Sequence, residues 1–116
     1  MNVTIYHNTR CSKSRSALQI LENKGIKPTI INYQESPPSK EYFKRILKSL
    51  KKYPQEIIRF NEKLAKEMNL SPDDNRDLDE WLEIMINNPI LIERPIVTIG
   101  EKAVLGRPPE NVLSIL

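Results

Sequence analysis

Residues 3–33 read VTIYHNTRCSKSRSALQILENKGIKPTIINY, and the changes of period within them decide the fold. Val3-Thr-Ile-Tyr6 alternates apolar and polar positions, the period of a half-buried strand. The loop His7-Asn-Thr-Arg10 leads into a helical pattern from about Ser12 to Asn23. Ala17, Leu18 and Leu21 share one face of it, and Gly25 is placed to end it. After Lys27-Pro28, Thr29-Ile-Ile-Asn-Tyr33 is rich in β-branched residues and reads as a second strand. A strand, a helix and a strand in this span form a βαβ unit, whose two strands are parallel with a right-handed crossover.

Outward from that unit, the far end of the chain has the period of a hairpin. Ile96-Val-Thr-Ile99 and Lys102-Ala-Val-Leu105 flank Gly100-Glu101, which suits a two-residue type II′ turn. Pro109 can open a last helix with Val112, Leu113 and Leu116 on one face. Between the two ends lies a helical block over about 39–88. Ser39 caps a helix with Phe43, Ile46, Leu47 and Leu50 at amphipathic spacing. Pro54 starts a turn through Ile57 and Ile58 to Arg59, and Asn61 is placed to cap a helix carrying Leu64 and Met68. Leu78, Trp81, Leu82 and Met85 repeat the amphipathic spacing. The expected fold is α/β, a single domain over 1–116. Its element order is β-α-β, helical insertion, β-β-α, around a four-stranded mixed sheet.

The composition narrows the function. With 39% hydrophobic and 28% charged residues, the 116-residue chain has the profile of a globular domain. No apolar run approaches the roughly 20 residues of a membrane helix, and no basic leader precedes Val3, so neither membrane insertion nor export is expected. Eighteen basic against 15 acidic residues leave a net charge of +3. Many of the lysines fall between Lys40 and Lys66 on helical patterns, as solvated faces do, and the aromatics are not interleaved with them. No nucleic-acid partner is implied. The one cysteine cannot form an internal disulfide and suits a reducing compartment, so a cytoplasmic location is expected.

That cysteine, Cys11, stands where the loop enters the first helix, at the end where unpaired backbone N–H groups favour an anion. A free thiol with a pKa of about 8.5 is only about 3% ionised at pH 7. Ionising most of it takes about 2.7 kcal/mol of differential stabilisation. A helix terminus supplies about 0.3–1 kcal/mol, and about 2 at most. Cations or further N–H donors must add the rest, and His7, Arg10, Lys13 and Arg15 are the candidates. A buried, inert thiol is the alternative, and the polar neighbours on both sides argue against it. His7 either orients or ionises the thiol or braces the loop, and spacing does not separate the two. Ser14 occupies the position of the resolving thiol of a Cys-x-x-Cys motif. A serine forms no disulfide, so Cys11 must be resolved by a thiol from outside the chain.

Glu93-Arg-Pro95 and Gly106-Arg-Pro-Pro109 frame the hairpin. Arg94 precedes its first strand and Arg107 follows its second, so antiparallel pairing brings them together. Two guanidinium forks at one sheet edge make a site for a tetrahedral oxyanion, the alternative being two surface loop arginines. Pro95 is a candidate cis-proline, and spacing does not establish the isomer.

Taken together, several stretches resemble the glutaredoxin-dependent arsenate reductases, a thioredoxin-like family with a helical insertion. These are His7-Asn-x-x-Cys-Ser-Lys-Ser-Arg15, Tyr33-x-Glu-x-Pro-Pro38, Asn88-Pro-Ile-Leu-Ile-Glu-Arg-Pro-Ile-Val97 and Gly106-Arg-Pro-Pro-Glu110. The resemblance spans nearly the whole chain, in the family order. It implies that Cys11 attacks arsenate, with His7 beside the thiol as its catalytic companion favouring the ionised form. It also implies that Arg94, Arg107 and, in Ile57-Ile-Arg-Phe-Asn61, Arg59 hold the oxyanion. Ser14 and Arg15 are the thiolate-stabilising candidates. Glutathione enters as co-substrate and glutaredoxin as protein partner, with no bound cofactor and no metal. Two other functions are weighed on the same scaffold. One is a glutathione-linked thiol oxidoreductase for another substrate. The other is a regulatory binding module, disfavoured because Ser14 removes a Cys-x-x-Cys switch.

Overall fold

In the computed structural model, which describes residues 2–116, the chain divides into two compact units. One comprises the residues up to 36 together with 94–116, the other residues 37–93. The first holds the sheet. Its strands are β1 (Val3–His7), β2 (Thr29–Asn32), β3 (Ile96–Ile99) and β4 (Lys102–Leu105), in the spatial order β2-β1-β3-β4. β1 and β2 are parallel, while β1/β3 and β3/β4 are antiparallel, which is the mixed sheet expected from the sequence.

The central strands β1 and β3 are almost wholly buried, whereas the edge strand β2 is largely exposed, with Ile30 open to solvent. Helix α1 (Ser12–Asn23) joins the parallel pair. It ends where Gly25 takes a φ of 77° and the Ile26 N–H returns to the Leu21 carbonyl at 3.1 Å. That closure needs a left-handed residue, which glycine supplies without steric cost. Val3, Ile5, Ala17, Leu21, Val97 and Val112 form the core of this unit. Complete burial of each larger aliphatic side chain contributes about 1.5–3 kcal/mol. The hairpin turns at Gly100, with φ at 58°, while Glu101 stays out of the left-handed region, the type II′ pattern.

The C-terminal segment departs from expectation. Pro109–Ile115 is a 3₁₀ helix, and Leu113 and Leu116 lie exposed. Three residues per turn align i with i+3, so Val112 is buried and Ile115 packs beside it against the core.

The second unit is built from helices, α2 (Lys40–Leu50), α3 (Lys63–Glu67) and α4 (Leu78–Asn87), with 3₁₀ turns at Pro54–Ile57 and Pro89–Leu91. Ser39 Oγ accepts the Tyr42 N–H at 3.2 Å and caps α2 as expected. The cap of α3 falls on Glu62 rather than Asn61. Asp77 and Glu80 form a reciprocal capping box at the start of α4. Of the expected apolar stripe of α4, Trp81, Leu82 and Met85 are buried, and Leu78 in the first turn is exposed. Phe60 meets the Trp81 ring edge-on at 6.1 Å, and the Arg76 guanidinium lies 5.6 Å from its centroid. Lys40–Glu83 at 2.7 Å and Lys44–Asp79 at 3.1 Å tie α2 to α4. Among the described residues, no helix is long and apolar enough to cross a membrane.

Candidate active site

Strand register decides which side chains meet. His7 pairs with Asn32, Tyr6 with Ile96, and Ile96 with Leu105. The carboxyl ends of β1, β2 and β4 and the amino end of β3 therefore lie at one edge of the sheet. The Cys11 loop, Tyr33, Arg94 and Arg107 all emerge there, at the end where α/β sheets receive ligands.

The loop after β1 is held by its own polar groups. The Asn8 side chain accepts the Arg10 N–H at 2.9 Å, and the Cys11 N–H donates to the Asn8 carbonyl at 3.0 Å. The Arg15 guanidinium donates to the Thr9 carbonyl at 2.8 Å, bracing the loop from the first turn of α1. Cys11 is the N-cap of α1, extended at φ −98° and ψ 121°, and its side chain is half-buried without closing a cap hydrogen bond. Burial pushes the thiol pKa up. The Ser14 N–H, the Arg94 guanidinium and the Lys13 N–H together outweigh burial and hold it below its ordinary value. The helix terminus and one arginine are thus what favour the thiolate.

Ser14 contributes its backbone to that effect and its side chain to another. Its hydroxyl is fully buried, accepts the Asn8 N–H at 3.0 Å and lies 2.6 Å from His7 Nδ1. His7 is buried at the end of β1, and its pKa is lowered by burial and then by the charge of Arg15. Of the roles open to His7, the structure favours bracing of the loop, its Nδ1 being engaged by the Ser14 hydroxyl and its pKa shift favouring the neutral ring. Arg15 acts on the loop carbonyl and on His7.

The arginines at the open end of the hairpin are drawn together. Arg107 Nη1 donates to the Arg94 carbonyl at 3.1 Å, and the Gly106 N–H donates to the Pro95 carbonyl at 2.8 Å. A side chain at Gly106 would put its Cβ 2.8 Å from Pro95 Cγ, so only glycine fits this close approach. The Arg94–Pro95 and Arg107–Pro108 peptide bonds are both cis. Arg94 reaches the Cys11 sulfur on one side and donates to the Tyr33 hydroxyl at 3.4 Å on the other. Sequence reasoning passed over Tyr33, because only the β1–β2 register places it beside the loop. Arg59 belongs to the second unit. There its N–H donates to the Leu91 carbonyl at 2.7 Å, and its Nε pairs with Glu62 at 3.3 Å. Among the described residues, no group of three His, Cys, Asp or Glu side chains is placed to hold a metal ion.

A thiol favoured toward its ionised form at a helix N-terminus thus faces an arginine pair at the same end of the sheet, on a thioredoxin-like frame. The chain belongs to the ArsC family, which it matches over residues 6–115. It is 45% identical to an arsenate reductase of Haemophilus influenzae, with all of both chains covered. It is also 43% identical to the uncharacterised protein YfgD of Escherichia coli, over 98% of this chain and 96% of that one. The solved arsenate reductase of Vibrio cholerae superposes with a TM-score of 0.94 at 47% identity, covering 100% of this chain and 98% of that one.

Proposed function

We propose that this chain is an arsenate reductase in which Cys11 is the nucleophile and an external thiol supplies the reducing electrons. The observation that carries it is the half-buried Cys11 sulfur, held toward its ionised form by the α1 N-terminus and the Arg94 guanidinium. Arsenate is a tetrahedral oxyanion of the kind that two adjacent guanidinium forks bind. Arg94 and Arg107 hold it.

The thiolate attacks arsenic, an S–As bond forms and one As–O bond breaks, and the departing oxygen leaves as water, using the proton carried by hydrogen arsenate and one from solvent. Positive groups around the site stabilise the charge of the adduct. Reduction from As(V) to As(III) needs two electrons, and one cysteine cannot supply them as an internal disulfide. Two external thiols provide them and depart as a disulfide, and water then displaces the Cys11 sulfur from As(III), releasing arsenite and regenerating the thiolate. Glutathione is the first of these thiols and glutaredoxin resolves the mixed species, in a reducing cytoplasmic setting. His7 and Ser14 hold the loop that presents the sulfur.

The test is arsenate-dependent oxidation of NADPH with glutathione, glutaredoxin and glutathione reductase supplied. The chain should turn over, and Cys11→Ser should abolish turnover while keeping the melting temperature. Arsenite production by Cys11→Ser would overturn the nucleophile. Activity that persists without glutaredoxin, or with thioredoxin alone, would overturn the assigned donor.

A further inference from the structure

We propose that Tyr33 is a positioning residue of this site, its phenol oxygen holding the Arg94 guanidinium against the Cys11 sulfur. Tyr33 stands one residue beyond β2, and the pairing of His7 with Asn32 sets it beside Asn8, where the loop leaves β1. Its ring is 2% exposed, so the hydroxyl is delivered from a fixed place. The oxygen accepts from Arg94 Nη1 at 3.4 Å, with the side chains of Gln34 and Asn8 also in reach of it.

An arginine side chain has many rotamers, and a guanidinium that must serve a sulfur and an oxyanion needs an anchor. The chemistry of this anchor matters. Burial drives the phenol pKa above its ordinary value against the pull of Arg94, so the hydroxyl stays neutral. A carboxylate in its place would grip the guanidinium harder, but it would cancel the charge and repel the incoming anion. A neutral acceptor orients Arg94 and leaves its charge for the thiolate and the oxyanion. The anion half of this assignment rests on the reductase function proposed above, while the thiol half does not depend on it.

Tyr33→Phe keeps the ring and removes only the oxygen. The first readout is the pH dependence of Cys11 alkylation by iodoacetamide, which needs no arsenate. The midpoint should rise by about half a pH unit or more, about a threefold loss of thiolate at fixed pH below it. In an Arg94→Met background the same substitution should cause no further change, because its route to the sulfur is gone. The second readout is the coupled assay, where KM for arsenate should rise several-fold more than kcat falls. An alkylation profile of Tyr33→Phe that overlays the parent would overturn the proposal, as would a shift of equal size in the Arg94→Met background. Normal alkylation shifts in a chain that reduces no arsenate would sustain the Tyr33–Arg94 linkage and sink the reductase reading instead.

Discussion

Replacing Arg94 by methionine keeps an unbranched apolar stem and removes the guanidinium that faces Cys11. Two unit charges about 4 Å apart interact by about 1 kcal/mol in water and about 4 kcal/mol at an effective dielectric near 20. The half-buried sulfur lies between these limits, and hydrogen bonds to charged groups contribute about 1.5–3 kcal/mol. At about 1.36 kcal/mol per pKa unit, Arg94→Met should raise the Cys11 midpoint by about one to two units. The Ser14 and Lys13 N–H groups would remain, with the roughly 0.3–1 kcal/mol typical of a helix terminus. Iodoacetamide alkylation rates between pH 5 and 10 (roughly the range over which shifted thiols titrate) give the midpoint directly, since the chain holds one cysteine. Arg94→Lys should fall between the parent and Arg94→Met, because it keeps a charge and loses the fork. A midpoint in Arg94→Met within about 0.2 unit of the parent would refute the part given to Arg94 in favouring the thiolate.

His7, the sole histidine, has its pKa lowered in the folded chain by burial and by Arg15, so its imidazole resonance should titrate below about 6.5. The unfolded chain then binds more protons than the folded one in that region. Stability is full above about pH 6.5 and falls as the pH is lowered through it toward the folded value. Urea midpoints should accordingly drop on acidification from neutrality, and an imidazole that titrates at its ordinary value would contradict this. Gly106→Ala forces a Cβ onto Pro95 Cγ and should destabilise by about 1–3 kcal/mol, lowering the melting temperature by several degrees. An unchanged melting curve would mean that the Pro95 ring yields without cost.

Periodicity carried most of the frame into view. The βαβ unit, the hairpin and the amphipathic stripes of α2 and α4 are local patterns, and each lies where it was expected. What escaped reading depends on short-range geometry or on register. The alignment of Val112 with Ile115 follows from a 3₁₀ rise that an apolar spacing does not reveal. Helix α2 stops at Lys51 in the left-handed conformation, where no glycine marks the end. In the site, Cys11, Arg94 and Arg107 were legible because residue type and flanking prolines point to them. Ser14 was legible only as a missing thiol, whereas its buried hydroxyl, which engages His7 and Asn8, is a property of the fold. Tyr33 was legible only as the first residue of a family stretch, and its role was not, since its relation to Arg94 spans 61 residues of chain.

The hairpin that carries Arg94 and Arg107 divides the labour of assembly unevenly. The two arginines stand only 13 positions apart, and the strands that join them pair through a two-residue turn. Such short-range contacts form with little loss of chain entropy, within microseconds for an average hairpin. The nucleophile comes from the other end of the sequence and reaches the arginines only when β1 docks on β3. The arginine pair is therefore encoded as a self-contained cassette, and it is the long-range closure of β1 onto it that brings the proposed nucleophile to the proposed anion clamp.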